Sequence, residues 1–321
     1  MCLRNDTFSF SILRMDTKKM VPLRQFSVFK TGGNADYFAE IENREDLLTA
    51  VEFSEKNDLP LLVIGGGTNI LFSDEGFRGL VIKMKNEKMT EEGEGRFLVE
   101  SGKTNTSLYK ELQKRGRDFS PFFTIPGTIG GAIAGNSGLW GTNIEKYLRE
   151  AEIFDVHEKK FRNVSADFFR FEHRRTLFHS FPEAQSKIIV WSALLHIPEA
   201  LPEQIVERAE NILEMRRESE VWGRPGGSIF RSLPNGDIRI SLDSFRGRAE
   251  HGVTISKKNP NFFQITKGVS QQDILSLARN VAQEVERLYG IHLQAEVRIL
   301  DQYGQEIPLF EPDFSSFSSS S

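Results

Sequence analysis

Short apolar runs alternate with amphipathic stretches along most of the chain. ADYFAEI (35–41) predicts a strand, and REDLLTAVEFSEKN after it carries Leu47, Leu48 and Val51 at helical spacing. PLLVIGGG is an apolar run too short for a helix, and it enters a glycine loop followed by ILF, the turn SDEGFRG and the strand-like LVIKM. RFLVESG predicts another strand, and NTSLYKELQKRG a helix with Leu108 and Leu112 one turn apart. EAEIFDV and KIIVWSALLHI predict further strands. Strands alternating with helices predict an α+β or mixed α/β architecture.

A charged helix, PEQIVERAENILEMRRESE, closes the first large unit before the loop-rich WGRPGGSIFRSLPNGD, which places a boundary near residue 218. The last strong helix starts at Ser270, with Asp273 completing a capping box, and stops at Gly290. Ile274, Ala278, Val281, Val285 and Leu288 form its apolar stripe. HLQAEVRIL then reads as a strand: Leu293, Ala295, Val297 and Ile299 alternate with Gln294, Glu296 and Arg298, so Glu296 stands on the polar face. The expected organisation is a tail over 1–20, a region of two small subdomains over 21–218, a C-terminal domain over 219–300 and a tail over 301–321. The serine-rich end SSFSSSS predicts disorder.

Composition narrows the class. At 321 residues the chain has length for about two domains. With 39% apolar and 27% charged residues it is globular rather than disordered. The 41 Lys+Arg against 45 Asp+Glu leave a net charge of −4, which gives no general attraction to nucleic acid or an anionic membrane, so an anionic ligand needs a local site. The single cysteine, Cys2, forms no intramolecular disulfide and fits a reducing, cytoplasmic compartment. The opening MCLRNDTFSFSILRM lacks the continuous apolar region of a signal peptide, with Met15 and Met20 as alternative starts. Six scattered histidines have no zinc spacing, so no metal site is expected.

Two glycine loops are the candidate cofactor-binding elements. Gly65, Gly66 and Gly67 lead into Thr68, Asn69 and Ile70, where backbone N–H groups can converge on a pyrophosphate without obstruction by side chains. GGGTN is neither a G-x-G-x-x-G fingerprint nor a P-loop, and alone it fits a tight turn equally well. IPGTIGGAIAGNSGLWG adds Pro126, Gly127, Thr128, Gly130, Gly131 and more glycines than a connection requires, as a backbone lying flat against a planar ligand would need.

Together VIGGGTNILFSDEGFRGLVI and IPGTIGGAIAGNSG resemble the flavin-binding half of the UDP-N-acetylenolpyruvoylglucosamine reductase family. The resemblance runs from FSVFKTGGNADYF (26–38) to AEVRI (295–299). It implies a vanillyl-alcohol-oxidase/PCMH-like FAD-binding fold, α+β in class, with a C-terminal α/β substrate-binding domain. It also implies FAD as cofactor and NADPH as co-substrate, reducing the enolpyruvyl ether of a UDP-sugar for peptidoglycan precursor synthesis.

The resemblance assigns three catalytic residues. Ser228, in RPGGSIFRS, matches the proton-donating serine of a glycine-serine-aromatic segment. Glu296 matches the carboxylate of the closing Glu-Val strand, and as an acid it needs burial against flavin and substrate to keep its proton. Arg174, in FRFEHRRTLFHS, matches a Tyr-Arg-Asp/Glu-Ser segment; a guanidinium there binds a carboxylate bidentately and stays charged. Arg175 points the other way if the segment is extended. Without the resemblance, a serine ending a turn, a strand glutamate paired with Arg298 and a surface arginine are the ordinary readings. Departures from the family pattern stand at His173 (usually Tyr), Thr176 (Ser), Ser232 (Asn) and Asn259 (His). An oxidase of the same fold, or a noncatalytic flavin-binding protein, is the alternative.

Overall fold

The computed structural model describes residues 16–139, 141–181, 184–219, 225–233 and 238–310, with Gln185 and Ser219 described by backbone alone. The serine-rich end and the opening segment with Cys2 and Met15 lie outside them. A four-stranded sheet comes first, in the order Lys18–Pro22, Asn34–Ile41, Phe77–Met84, Leu61–Ile64. The first pairing is antiparallel and the other two are parallel. Residues 79–82 are buried at successive positions, which explains the continuous apolar run there. Helix Arg44–Lys56 connects two of these strands. It is capped by Asn43, whose side chain accepts from the Asp46 N–H while the Asp46 carboxylate accepts from the Asn43 N–H.

A five-stranded antiparallel sheet follows, ordered Lys160–Ser165, Leu148–Asp155, Ile188–His196, Arg96–Glu100, Met89–Gly93. Helices Asn105–Gln113, Ile129–Ala134 and Pro202–Ser219 share its core, where Leu108, Leu112, Phe119, Phe122 and Ile133 are fully buried. The C-terminal unit is a four-stranded antiparallel sheet, Gly226–Ser228, Phe262–Ile265, Val253–Ile255, Ala249–Glu250, packed on helix Gln271–Tyr289. That helix has the expected Ser270/Asp273 capping box and Gly290 in the left-handed region. Ile274, Ala278, Val281 and Val285 are buried, but Leu288 is 47% exposed: the buried stripe ends a turn before the helix does.

Front and back are joined by backbone pairing. Ile70–Leu71 pairs in parallel with Arg298–Ile299, and the Gln271 side-chain amide donates to the Leu71 and Leu300 carbonyls. This junction corrects the expected continuous strand over HLQAEVRIL. The segment first follows residues 229–231, with Arg231 N–H donating to Gln294 and Glu296 N–H to Ile229, and then changes partner to the Ile70 segment. Only Arg298–Ile299 remains a regular strand. The alternation survives the change, with Leu293, Val297 and Ile299 buried and Gln294 exposed. Structure also extends into both segments read as tails: strand Lys18–Pro22 begins inside the first, and Leu309 of the second is buried in the C-terminal core.

Candidate active site

The two glycine loops meet each other. A Cβ on Gly66 would lie 2.7 Å from the Gly127 Cα, so any side chain there would push the loops apart. The Thr68 hydroxyl donates to the Pro126 carbonyl at 3.4 Å across the same contact. Half-buried Lys83 donates from Nζ to the Gly65 carbonyl at 2.9 Å and stands over the Phe26 ring. Burial, and then the neighbouring Lys85, hold its pKa below the ordinary lysine value. In the second loop, Thr128 caps helix Ile129–Ala134 by accepting from the Gly131 N–H, while the Ile129 and Gly130 amides donate to Lys103 and Ser101. Among the described residues, the amides of Gly66, Gly67 and Thr68 donate no hydrogen bond to protein.

Between the loops and the C-terminal unit lies a cavity of about 410 Å³. Every cofactor-binding and catalytic candidate from the sequence lines it: Gly65 through Ile70 of the first loop, Pro126 to Thr128, Gly130 and Gly131 of the second, and Arg174, Ser228 and Glu296. Leu62, Ile125, Ala132 and Val190 add apolar wall. The residues fit FAD: unspent amides of the first loop suit a pyrophosphate, and the surrounding glycine and apolar surface suits a flat ring.

Ser228 reaches the cavity from the strand Gly226–Ser228. Gly226 has φ 137°, and a Cβ there would lie 1.9 Å from the Phe263 carbonyl oxygen, so the strand can approach its neighbour only with glycine at this place. Buried Asn261 holds the residues that follow. Its Oδ1 accepts from the Phe230 N–H at 2.9 Å and its Nδ2 donates to the Phe230 carbonyl at 2.8 Å. Glu296 is fixed through its backbone, donating to Ile229 and accepting from Asn69 Nδ2 at 3.0 Å. The Asn69 carbonyl accepts from the Arg298 N–H, so this asparagine of the first loop grips both sides of the Glu296 segment.

Arg174 occupies the tip of a turn, not an extended segment. Glu172 and Arg175 exchange backbone hydrogen bonds at 3.0 and 3.1 Å, and Arg174 has φ 55°, a conformation that costs a non-glycine residue on the order of 1–3 kcal/mol. The expected opposition of Arg174 and Arg175 across a strand therefore does not apply. Arg298 also lines the cavity, and its partner is Glu306, at 3.3 Å, rather than Glu296. His179 lines the cavity as well, with Nδ1 accepting from the Thr176 N–H at 3.2 Å. Its position in HRRTLFHS gave no sign of this. Arg298 was signalled by sharing the polar face with Glu296, two residues away. Three arginines in the lining, Arg174, Arg216 and Arg298, make this a place for anions in a chain of net negative charge.

Residues 35–159 match the family model of an FAD binding domain, and residues 224–300 match that of the UDP-N-acetylenolpyruvoylglucosamine reductase C-terminal domain. The reductase of that name from Pelobacter propionicus is 30% identical over 286 residues, covering 88% of this chain and 94% of the relative. The chain belongs to the UDP-N-acetylenolpyruvoylglucosamine reductase family. The Chlamydia muridarum reductase is 31% identical over 299 residues, 92% of this chain and 96% of its own. The solved structure of the Thermus caldophilus reductase superposes with a TM-score of 0.74 at 25% identity, covering 89% of this chain and 98% of that one. The fold is accordingly that of this reductase family, an FAD binding domain followed by the family's C-terminal domain, and the protein is an FAD-dependent oxidoreductase of this family.

Proposed function

We propose that the protein reduces UDP-N-acetylglucosamine enolpyruvate to UDP-N-acetylmuramate with NADPH as electron source, with Arg174, Ser228 and Glu296 as its catalytic residues. The observation that carries this reading is that these three residues, from segments more than fifty positions apart, line the same cavity as both glycine loops. Bound FAD would supply the hydride, having taken it from NADPH. The chain's own groups serve the charge that results. Arg174 is placed to hold the substrate carboxylate, and its permanent positive charge favours the electron density that builds there when hydride arrives at C3. Ser228 donates its hydroxyl proton to C2, completing addition of hydride and proton across the double bond. Glu296 acts beside the carboxylate as an acid, and its backbone grip by Ile229 and Asn69 keeps it next to the strand of Ser228.

This places the activity in the cytoplasm, on a nucleotide sugar, without nucleic acid or membrane as partner. Among the described residues no helix is long and apolar enough to cross a membrane. The test is spectroscopic. NADPH should bleach the yellow holoenzyme without oxygen, and the enolpyruvyl substrate should restore the colour with formation of the saturated ether. Bleaching by NADPH with no recovery on adding substrate would overturn the proposal.

A further inference from the structure

The turn that carries Arg174 is held from two directions by groups to which the proposed chemistry gives no role. Because Glu172 and Arg175 close the turn through their backbones, His173 and Arg174 alone form its tip. From the second glycine loop, fully buried Asn136 donates from Nδ2 to the Glu172 carbonyl at 2.9 Å and to Glu145 Oε2 at 3.2 Å. The Thr176 hydroxyl, equally buried, donates to the Ala134 carbonyl at 2.7 Å. From the C-terminal unit, Ser232 Oγ lies 3.0 Å from His173 Nε2, four residues beyond Ser228. His173 and Ser232 are two of the departures from the family pattern, and they meet each other.

Asn136 sits between Gly135 and Ser137, both of which line the cavity. It takes φ 43°, a left-handed conformation that asparagine tolerates better than most residues. The wall beside the flavin and the base of the Arg174 turn therefore share one residue. A guanidinium at a turn tip has several rotatable bonds, and a displacement of about 1 Å in a reacting group can cost as much as 10²-fold in rate. Fixing the base and the tip of the turn fixes the Cα from which those bonds start, and so limits how far the guanidinium can stray.

We propose that Asn136 is a positioning residue for Arg174, and that the His173–Ser232 contact is a second tether registering the Arg174 turn against the strand of Ser228. The inference rests on the role given to Arg174 above. Neither Asn136 nor His173 need touch the substrate.

Rapid-mixing measurements on the holoenzyme separate the possibilities. Asn136→Gly keeps the backbone conformation while removing the amide. It should retain flavin and normal bleaching by NADPH, yet slow reoxidation by substrate about 10-fold or more. In an Arg174→Ala background it should slow nothing further, because the group it positions is gone. Multiplying losses in the double variant, equal losses in both half-reactions, or loss of flavin by Asn136→Gly would each overturn the role of Asn136. His173→Phe and Ser232→Ala, at less buried positions, should each raise the substrate KM by a few-fold, with no added effect when combined. Wild-type behaviour in both, or additive effects, would overturn the second tether. If Arg174→Ala itself is reoxidised at the wild-type rate, the reading of Arg174 fails rather than that of its tethers.

Discussion

The two sides of the cavity are built by different means. On the side proposed to hold the flavin the chain brings backbone: Gly66 against Gly127 and unspent amides along 66–68. On the substrate side it brings single side chains from distant segments and fixes each through a backbone hydrogen bond made by a neighbour. Asn261 holds the strand of Ser228, Asn69 holds Glu296 and Asn136 holds the base of the Arg174 turn. The first method tolerates no added atom at its closest contact. The second tolerates loss of one clip, at the cost of a less ordered catalytic group. Substitutions on the two sides should therefore differ in kind as well as in size.

The largest effect is expected from Gly66→Val. Its Cβ alone would meet the Gly127 Cα at 2.7 Å, and backbone on both sides leaves no flexible atom to yield. The purified variant should be colourless, with no flavin released on denaturation. Full flavin content would show that the two loops separate readily and that the backbone cradle is not what retains the cofactor.

Ser228→Ala comes next and acts on the other side. If Ser228 is the proton donor proposed above, it should be worth about 10²- to 10⁴-fold in reoxidation of the reduced enzyme by substrate, with flavin content and the NADPH reaction unchanged. If both half-reactions fell together, the strand Gly226–Ser228 would be supporting the cavity rather than supplying a proton.

Asn69→Ala tests where the division runs, because Asn69 belongs to the flavin side by sequence and to the substrate side by its bonds. Removing Nδ2 deprives the Glu296 carbonyl of one hydrogen bond, a net change of about 1 kcal/mol. The substrate half-reaction should slow by up to about 10-fold, and flavin affinity should change less. A flavin affinity that fell more than the substrate reaction slowed would return Asn69 to the cofactor cradle.

The same division explains what could be read before folding. The glycine-loop side is local, since GGGTNI and IPGTIGG each carry their glycines within a few residues, and the two together were open to reading as candidate ligand loops, although GGGTN alone fitted a tight turn equally well. The helix from Ser270 to Gly290 was legible for the same reason: its cap, stripe and stop lie within its own residues. The substrate side depends on contacts over long separations. Asn69 to Glu296 spans 227 positions, and nothing within AEVRI announces that this strand changes partner at Val297. Ser228, Glu296 and Arg174 therefore needed the family resemblance to be chosen over neighbouring polar residues. Asn136 and His179, which no motif singled out for chemistry, emerged only with the fold. The local geometry at Arg174 was out of reach as well, because the closing bonds between Glu172 and Arg175 belong to a turn that its charged residues do not specify.

The smallest effect, and the one that extends the comparison to stability, concerns His179. Burial lowers its pKa to about 4; the nearby Arg298, Arg231 and Arg175 push the same way, with Glu306 opposing. The unfolded chain binds a proton at this side chain as pH falls through the ordinary histidine value near 6.5, whereas the folded chain does so only near 4. Between those values the unfolded state holds more protons, so His179 makes folding less favourable as the medium is acidified and has no such effect above about pH 7. Glutamine in its place can still accept the Thr176 N–H from the third helical position, as a capping-box residue does, but cannot take up the proton. His179→Gln should therefore leave the thermal midpoint of the holoenzyme nearly unchanged at pH 7.5 and make it fall less steeply than wild type between about pH 6.5 and pH 4.5. Parallel pH profiles would mean that the imidazole titrates in the folded protein as it does in the unfolded chain, and that the arginine-lined corner is open enough to water to screen it.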